Sequence, residues 1–312
     1  MRSVVLGMTA AALAVAGLAA QPGRFRTGVE LVHVAVMVEN RRGTVISQLN
    51  ETDFALFENG VRQEVRYFLR GDAEADALNL RLGLLLDTSG SMSDDMSFAR
   101  TAAVRFLKAL PEAQDITLVD FDTEVRVSRY GYADFPRLVE RIRTRAPDGW
   151  TALWDALGIY IDGVHHLDGR KVMVVYTDGG DTRSAQTYSD VIAMLKAADV
   201  TVYAIGFLEH QPHSVRTSQK MKLQQIAETT GGQAYFPVSR KALDDVYGKI
   251  VAQVRAQYTL GFVSNNGQMD GTWRELEVRL QGNHLESLRI RARKGYYAPL
   301  RQEGATRSAG RP

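Results

Sequence analysis

Asp87, Ser89 and Ser91 stand at alternate positions in Asp87-Thr88-Ser89-Gly90-Ser91, and Asp94-Asp95 follows shortly after. A carboxylate and two hydroxyls this close together form a compact set of hard oxygen donors. Such a set suits Mg²⁺, which takes oxygen ligands in a near-octahedral array and keeps several waters. Two other readings fit the same residues. Asp, Ser and Gly are ordinary turn residues, and Ser91 or Ser93 could cap a following helix. Asp87 could also be the nucleophile of a phosphoryl-transfer enzyme. That role suffers because Ser89 stands two residues on, where a second acid would serve as general acid and base. His165, His166, His210 and His213 offer no base at a recognisable spacing. Farther along, Thr151 follows the loop 146–150, and Asp178 lies in Thr177-Asp178-Gly179-Gly180-Asp181. Thr151 could equally be a helix N-cap and Asp178 a turn residue.

The elements that would carry these residues are readable from apolar periodicity. The run 82–86 has the character of a strand buried on both faces, and it stops at Asp87. After Asp94-Asp95, residues Met96, Ala99, Ala102, Ala103, Phe106, Leu107 and Leu110 fall on one helical face. Strands are expected at 115–121 and 124–130 about a turn at Asp122-Thr123, then a helix over 135–145 and another over 152–160. A second fully buried strand, 171–176, leads to Asp178. Helices 188–198, 218–229 and 241–256 alternate with strands 201–207 and 233–236. This alternation implies an α/β domain whose mostly parallel sheet is covered on both faces. In such sheets ligands bind beyond the carboxyl ends of the strands, where strand order switches direction. If strands 82–86 and 172–176 flank that point, Asp87 and Asp178 face one crevice, and the loop before Thr151 has only to bring its hydroxyl across.

The flanks are β in character. Strands are expected at 29–38, briefly at 45–46, and at 53–58, with a hairpin at Asn59-Gly60 and a return strand over 61–69. On the far side, 258–263, 273–280 and 288–292 read as strands. In the last of these Arg289, Arg291 and Arg293 alternate with apolar residues, as on the solvated face of a half-buried strand; an anion-binding stripe is the other reading. Neither flank has enough strands for a confident core of its own, so the two are expected to form one β-sandwich with the α/β domain inserted between its strands; two separate β appendages are the other reading. The division is a signal peptide at 1–20, an N-terminal β segment at 25–70, a linker at 71–78, the α/β domain at 79–256, a C-terminal β segment at 257–299 and a disordered tail at 300–312. Arg70-Gly71-Asp72 spells an adhesion tripeptide, but three residues are too few to carry a function.

The chain has 312 residues, 45% hydrophobic and 24% charged, as expected of a globular protein. A net charge of +2 argues against nucleic-acid binding. Met1-Arg2 followed by the apolar stretch 4–20 reads as a secretory signal, so a secreted, periplasmic or cell-envelope location is expected, with no membrane span after signal removal; a retained membrane anchor is the other reading. Without cysteine, there is no disulfide framework and no lipid-attachment cysteine. The oligomeric state is not readable.

Taken in order, Asp87-Thr88-Ser89-Gly90-Ser91, Thr151 and Thr177-Asp178-Gly179 resemble the metal-ion-dependent adhesion site of von Willebrand factor type A domains. The likeness covers about 79–256. The flanking 52–60 and the ending 295–299 resemble the exported VWFA-related proteins described in Acidobacteria. The resemblance implies a Rossmann-like, doubly wound sheet with one antiparallel edge strand and Mg²⁺ or Mn²⁺ at its top. It implies that Asp87, Ser89 and Ser91 form the motif core. Thr151 would ligate in the ligand-bound state, and Asp178 directly or through water. A partner protein would offer Asp or Glu to the ion, an adhesion or docking role without enzymatic activity. Asp94 and Asp95 also resemble the integrin β-subunit version of the motif, where two such acids help hold an adjacent Ca²⁺. They could instead simply complement the positive end of the helix dipole. Trp150 and Arg183 would border the metal as a partner-contacting rim, unless Trp150 packs beneath its loop.

Overall fold

The computed structural model describes residues 31–71, 79–209 and 211–300. The expected signal peptide, His210, the linker beyond Gly71 and the tail beyond Leu300 lie outside the described residues. The chain opens with β1 (Val32–Glu39), β2 (Phe54–Glu58), β3 (Val61–Gln63) and β4 (Val65–Leu69). It then alternates through β5 (Leu80–Asp87), α1 (Met96–Lys108), β6 (Ala113–Phe121), β7 (Val125–Gly131), α2 (Phe135–Thr144) and α3 (Leu153–Val164). The alternation continues through β8 (Lys171–Thr177), α4 (Tyr188–Ala197), β9 (Thr201–Gly206), α5 (His213–Thr229), β10 (Gln233–Tyr235) and α6 (Arg240–Ala256). Four strands close the described chain: β11 (Tyr258–Phe262), β12 (Trp273–Leu280), β13 (Arg289–Ala292) and β14 (Gly295–Tyr297).

The central sheet has the order β10-β9-β8-β5-β6-β7 and is parallel except for the edge strand β7. Its middle strands are apolar because both faces are covered. Along β5, Leu80, Leu82, Leu84 and Leu86 pack with α1, α2 and α6, whereas Leu85 points to the layer of α3, α4 and α5. That is the two-residue period of a strand serving two cores. From β5 the chain adds β6 and β7 on one side and then returns to add β8 on the other. The order therefore reverses between β5 and β8, and the ends of these two strands flank the switch point. Helix α5 begins five residues earlier than its periodicity predicts. Residues His213, Ser214, Val215 and Thr217 are exposed, so that first turn carries no apolar signal.

The flanking strands form two antiparallel sheets, β13-β1-β11-β4 and β14-β12-β2-β3. Each sheet mixes strands from both ends of the chain, and Val34, Val36, Leu56, Leu260, Phe262 and Leu276 pack between them. The expected sandwich of N- and C-terminal segments is thus the observed one. One expectation fails here. The return strand 61–69 breaks at Glu64: β3 stays beside β2, while β4 crosses to the other sheet and pairs with β11. Switching sheets in this way is how a sandwich turns its corners. The arginine row also departs from the solvated face expected of it. Arg289 is exposed, but Arg291 reaches Glu39 at 2.5 Å and Arg293 lies 3.6 Å from Asp199. The α/β part leaves the sandwich after β4 and returns as β11, its hydrogen-bonded neighbour, with Leu69 opposite Thr259. Gly71 lies directly against the carbonyls of Arg255 and Gln257, where any side chain would collide.

Candidate metal centre

Asp87 ends β5 with no solvent exposure. Its Oδ1 accepts the Ser89 amide at 3.0 Å and its Oδ2 accepts the Thr177 hydroxyl at 2.6 Å. The Ser89 and Ser91 hydroxyls lie 3.1 Å apart, and Ser91 opens to solvent. Across the switch point Asp178 follows the last residue of β8. Its two oxygens accept the Gly180 amide at 2.9 Å and the Gln211 side-chain amide at 3.0 Å. The turn-type bonds expected of ordinary Asp residues are therefore present at Asp87 and Asp178, together with their convergence.

The electrostatics of Asp87 are unbalanced. Its pKa is raised to about 7: burial pushes it up most, hydrogen bonds from Ser89 and Thr177 pull it down in part, and the Asp178 carboxylate adds to the rise. Its partners are an amide and a hydroxyl rather than a guanidinium or ammonium group. A divalent cation would supply the countercharge, and the hard oxygen donors present fit Mg²⁺ or Mn²⁺. Among the described residues no three His, Cys, Asp or Glu side chains gather where they could hold an ion. The donor set here is two carboxylates with hydroxyls, poor in negative charge.

Thr151 is held by its backbone. Its amide donates to the Thr182 hydroxyl at 3.0 Å, and its carbonyl accepts the amides of Thr182 and Arg183 at 2.9 and 3.0 Å. The alternative reading of Thr151 as a helix cap does not hold. The N-cap of α3 is Ala152, without a side-chain cap bond. The first free amides of the helix are instead satisfied from the β8–α4 loop, Trp154 by Asp181 at 3.2 Å and Asp155 by Ser184 at 3.0 Å. The Thr151 side chain, which is buried, is left without that duty. The loop before it is strapped on both sides. Asp148 and Gly149 bond to Thr88 and Gly90 of the β5 loop, while Trp150 and Ala152 bond to Thr123 and Asp122 of the β6–β7 turn. Gly149 has a φ of 73° and sits against the Thr123 hydroxyl, so only glycine fits there.

Trp150 does not pack beneath the loop; it is 66% exposed. Arg183 is exposed beside Thr151. Asp94 is exposed and Asp95 half-buried at the start of α1. His165 and His166 meet edge to face at the far end of α3, whose 12 residues span about 18 Å. His213 is exposed at the start of α5. Three contributors escape sequence reasoning: Thr177 as donor to Asp87, Gln211 as donor to Asp178, and Thr123 as anchor of the loop. Only Thr177 had a local signal, its place beside Asp178. Among the described residues no helix is long and apolar enough to cross a membrane.

A family model for the von Willebrand factor type A domain matches residues 82–249. Solved structures similar to the chain include the PilB minor pilin from Streptococcus sanguinis, at 17% identity and a TM-score of 0.45, covering 57% of this chain and 62% of the pilin. They also include the pilus adhesin SpaC from Lactobacillus rhamnosus GG, at 10% identity and 0.48, covering 79% and 48%. A von Willebrand factor type A protein from Catenulispora acidiphila matches at 14% identity and 0.46, covering 89% and 76%. The chain spans less than two thirds of the pilin and about half of the adhesin. No curated protein matches the sequence.

Proposed function

Because the chain belongs to the von Willebrand factor type A domain family, we propose that it is an exported, metal-dependent protein-binding module. Asp87, Ser89, Ser91, Thr151 and Asp178 would hold Mg²⁺ or Mn²⁺. The observation that supports this most is the enclosed carboxylate of Asp87, raised in pKa by burial and by Asp178 and facing hydroxyls at the switch point. When bound, the ion supplies a positive centre that a partner's Asp or Glu carboxylate can reach. The chain's own residues orient that encounter. Ser91 opens the site to solvent, and Trp150 and Arg183 present the aromatic and guanidinium groups typical of binding hot spots. This role needs no catalytic base.

Titration calorimetry with Mg²⁺ and Mn²⁺ on the protein and on Asp87→Ala tests the reading. Saturable binding that vanishes in a variant with an unchanged circular dichroism spectrum is expected, because the residue lies at the end of the sheet. Equal binding by the two proteins would remove Asp87 from the site. Once a partner is in hand, Trp150→Ala and Arg183→Ala should each weaken it, by about 1–2 kcal/mol. Unchanged affinity in both would place the contact surface elsewhere.

A further inference from the structure

A groove of about 360 Å³ runs along the exposed side of α1 to the C-terminal end of α2. Ser97, Arg100, Thr101, Arg105, Lys108 and Arg143 line it, and no carboxylate does. Helix α1 itself contains no acidic residue. The cations around the groove differ in how they are neutralised. Arg105 pairs with Asp244, Arg137 with Asp134, and Arg141 with Asp120. Among the described residues Arg100, Lys108 and Arg143 have no ion-pair partner. Arg100 is half-buried, and its one bond is from Nη1 to the Arg143 carbonyl at 3.1 Å, leaving Nε and Nη2 without partners. Burial lowers its pKa with no carboxylate to offset the effect. A half-buried guanidinium kept charged without a counterion is costly unless an anion supplies one.

We propose that this groove binds a phosphate or sulfate monoester group on a small ligand, independently of the metal centre. A tetrahedral oxyanion accepts several N–H and O–H donors at once, which is what the Arg100 and Arg143 guanidinium groups, the Lys108 ammonium group and the Ser97 hydroxyl offer, the Thr101 hydroxyl being already given to the Ser97 carbonyl. The volume lies at the small-ligand end of binding pockets. A nucleic acid would need a broader basic surface than a chain of net charge +2 provides.

Calorimetry on the metal-free full chain at low ionic strength tests this with inorganic phosphate, inorganic sulfate, glucose 6-phosphate and glucose 6-sulfate. Saturable one-to-one binding of at least one ester is expected, and the preferred ester identifies the source of the oxyanion. Arg100→Gln and Arg143→Gln should each weaken binding by about tenfold. Arg66→Gln, the same charge change on exposed β4, should leave it nearly unchanged. Arg143 is exposed, so its variant reports on binding even if Arg100→Gln fails to fold, which a thermal melt will reveal. Absence of saturable binding to all four probes would overturn the proposal. So would an equal loss in Arg66→Gln, or no loss in Arg143→Gln.

Discussion

Asp87 and Asp122 are both carboxylates taken out of water, and their neighbours send them in opposite directions. Burial raises the pKa of each. At Asp122 hydrogen bonds from Arg126, the Glu124 amide and Arg145 outweigh it and bring the carboxyl down to about 2. Asp87 has an amide and a hydroxyl but no guanidinium, and it ends near 7. The depressed Asp122 has a definite consequence for stability. Its contribution is fully present above the ordinary carboxyl pKa of about 4 and is lost as pH falls through about 2. The wild type should therefore exceed Asp122→Asn in urea stability by about 2 kcal/mol at pH 6, with the gap closing toward pH 2. A gap independent of pH would show that the carboxylate charge is not what matters. If Asp94 and Asp95 only complement the helix dipole, cation titration of Asp94→Asn/Asp95→Asn should match that of the wild type. Loss of a second cation in that variant would assign the two acids to an adjacent Ca²⁺. Asp87, Ser89, Ser91 and Asp178 were legible as candidates because chemistry and strand ends coincide in the local sequence. The pairing of Asp122 with Arg145 was not, since it depends on how a hairpin tip meets a distant loop.

At the scale of elements, the N-terminus of α3 and the β8–α4 loop form one unit. Asp181 and Ser184 cap the helix from outside, and Asp155 on the helix returns the favour by accepting the amides of Ala185 and Gln186 at 3.0 and 2.9 Å. Asp181→Ala should cost about 1 kcal/mol, as loss of a helix cap does. The amides of Trp154 and its neighbours should exchange faster in hydrogen-exchange measurements, while those of β5 stay protected. Uniform exchange in the variant and wild type would mean that the cap is redundant. Buried strands such as β5 and β8 were legible because an apolar run covered on both faces has few other fates. The fate of 61–69 was not. Its first half and second half both alternate acceptably, and only the vacancy beside β11 decides that β4 leaves the sheet of β3. Arg291 of β13 and Arg293 just beyond it were misread for a similar reason: alternation reports which face a residue takes, whereas Glu39 and Asp199 decide what that face meets.

At the scale of the whole molecule, neither end of the chain makes its sandwich alone. β11 lies between β1 and β4, and β12 lies between β14 and β2. Truncation after Ala256 removes those strands and should leave 31–69 sensitive to limited proteolysis, while 79–256 remains protected. Continued protection of 31–69 would contradict the shared core. Within that core Arg274 and Glu58 are almost fully buried and form a 3.3 Å ion pair, with the Tyr296 hydroxyl on the other Glu58 oxygen at 2.8 Å. Glu58→Ala strands a buried guanidinium and should destabilise the sandwich by about 3–5 kcal/mol, read as a shift in its chemical-denaturation midpoint. The adjacency of β4 and β11 has a mechanical meaning. Tension applied between β1 and β14 passes through sandwich strands and across the β4–β11 pairing, bypassing the inserted α/β part until that pairing shears. The inserted part behaves like a loop of rope held in a clasp. In a single-molecule pulling experiment the sandwich should give way first, and the length stored between β4 and β11 should pay out only afterwards, so that the α/β part can stay folded while the chain around it is under load.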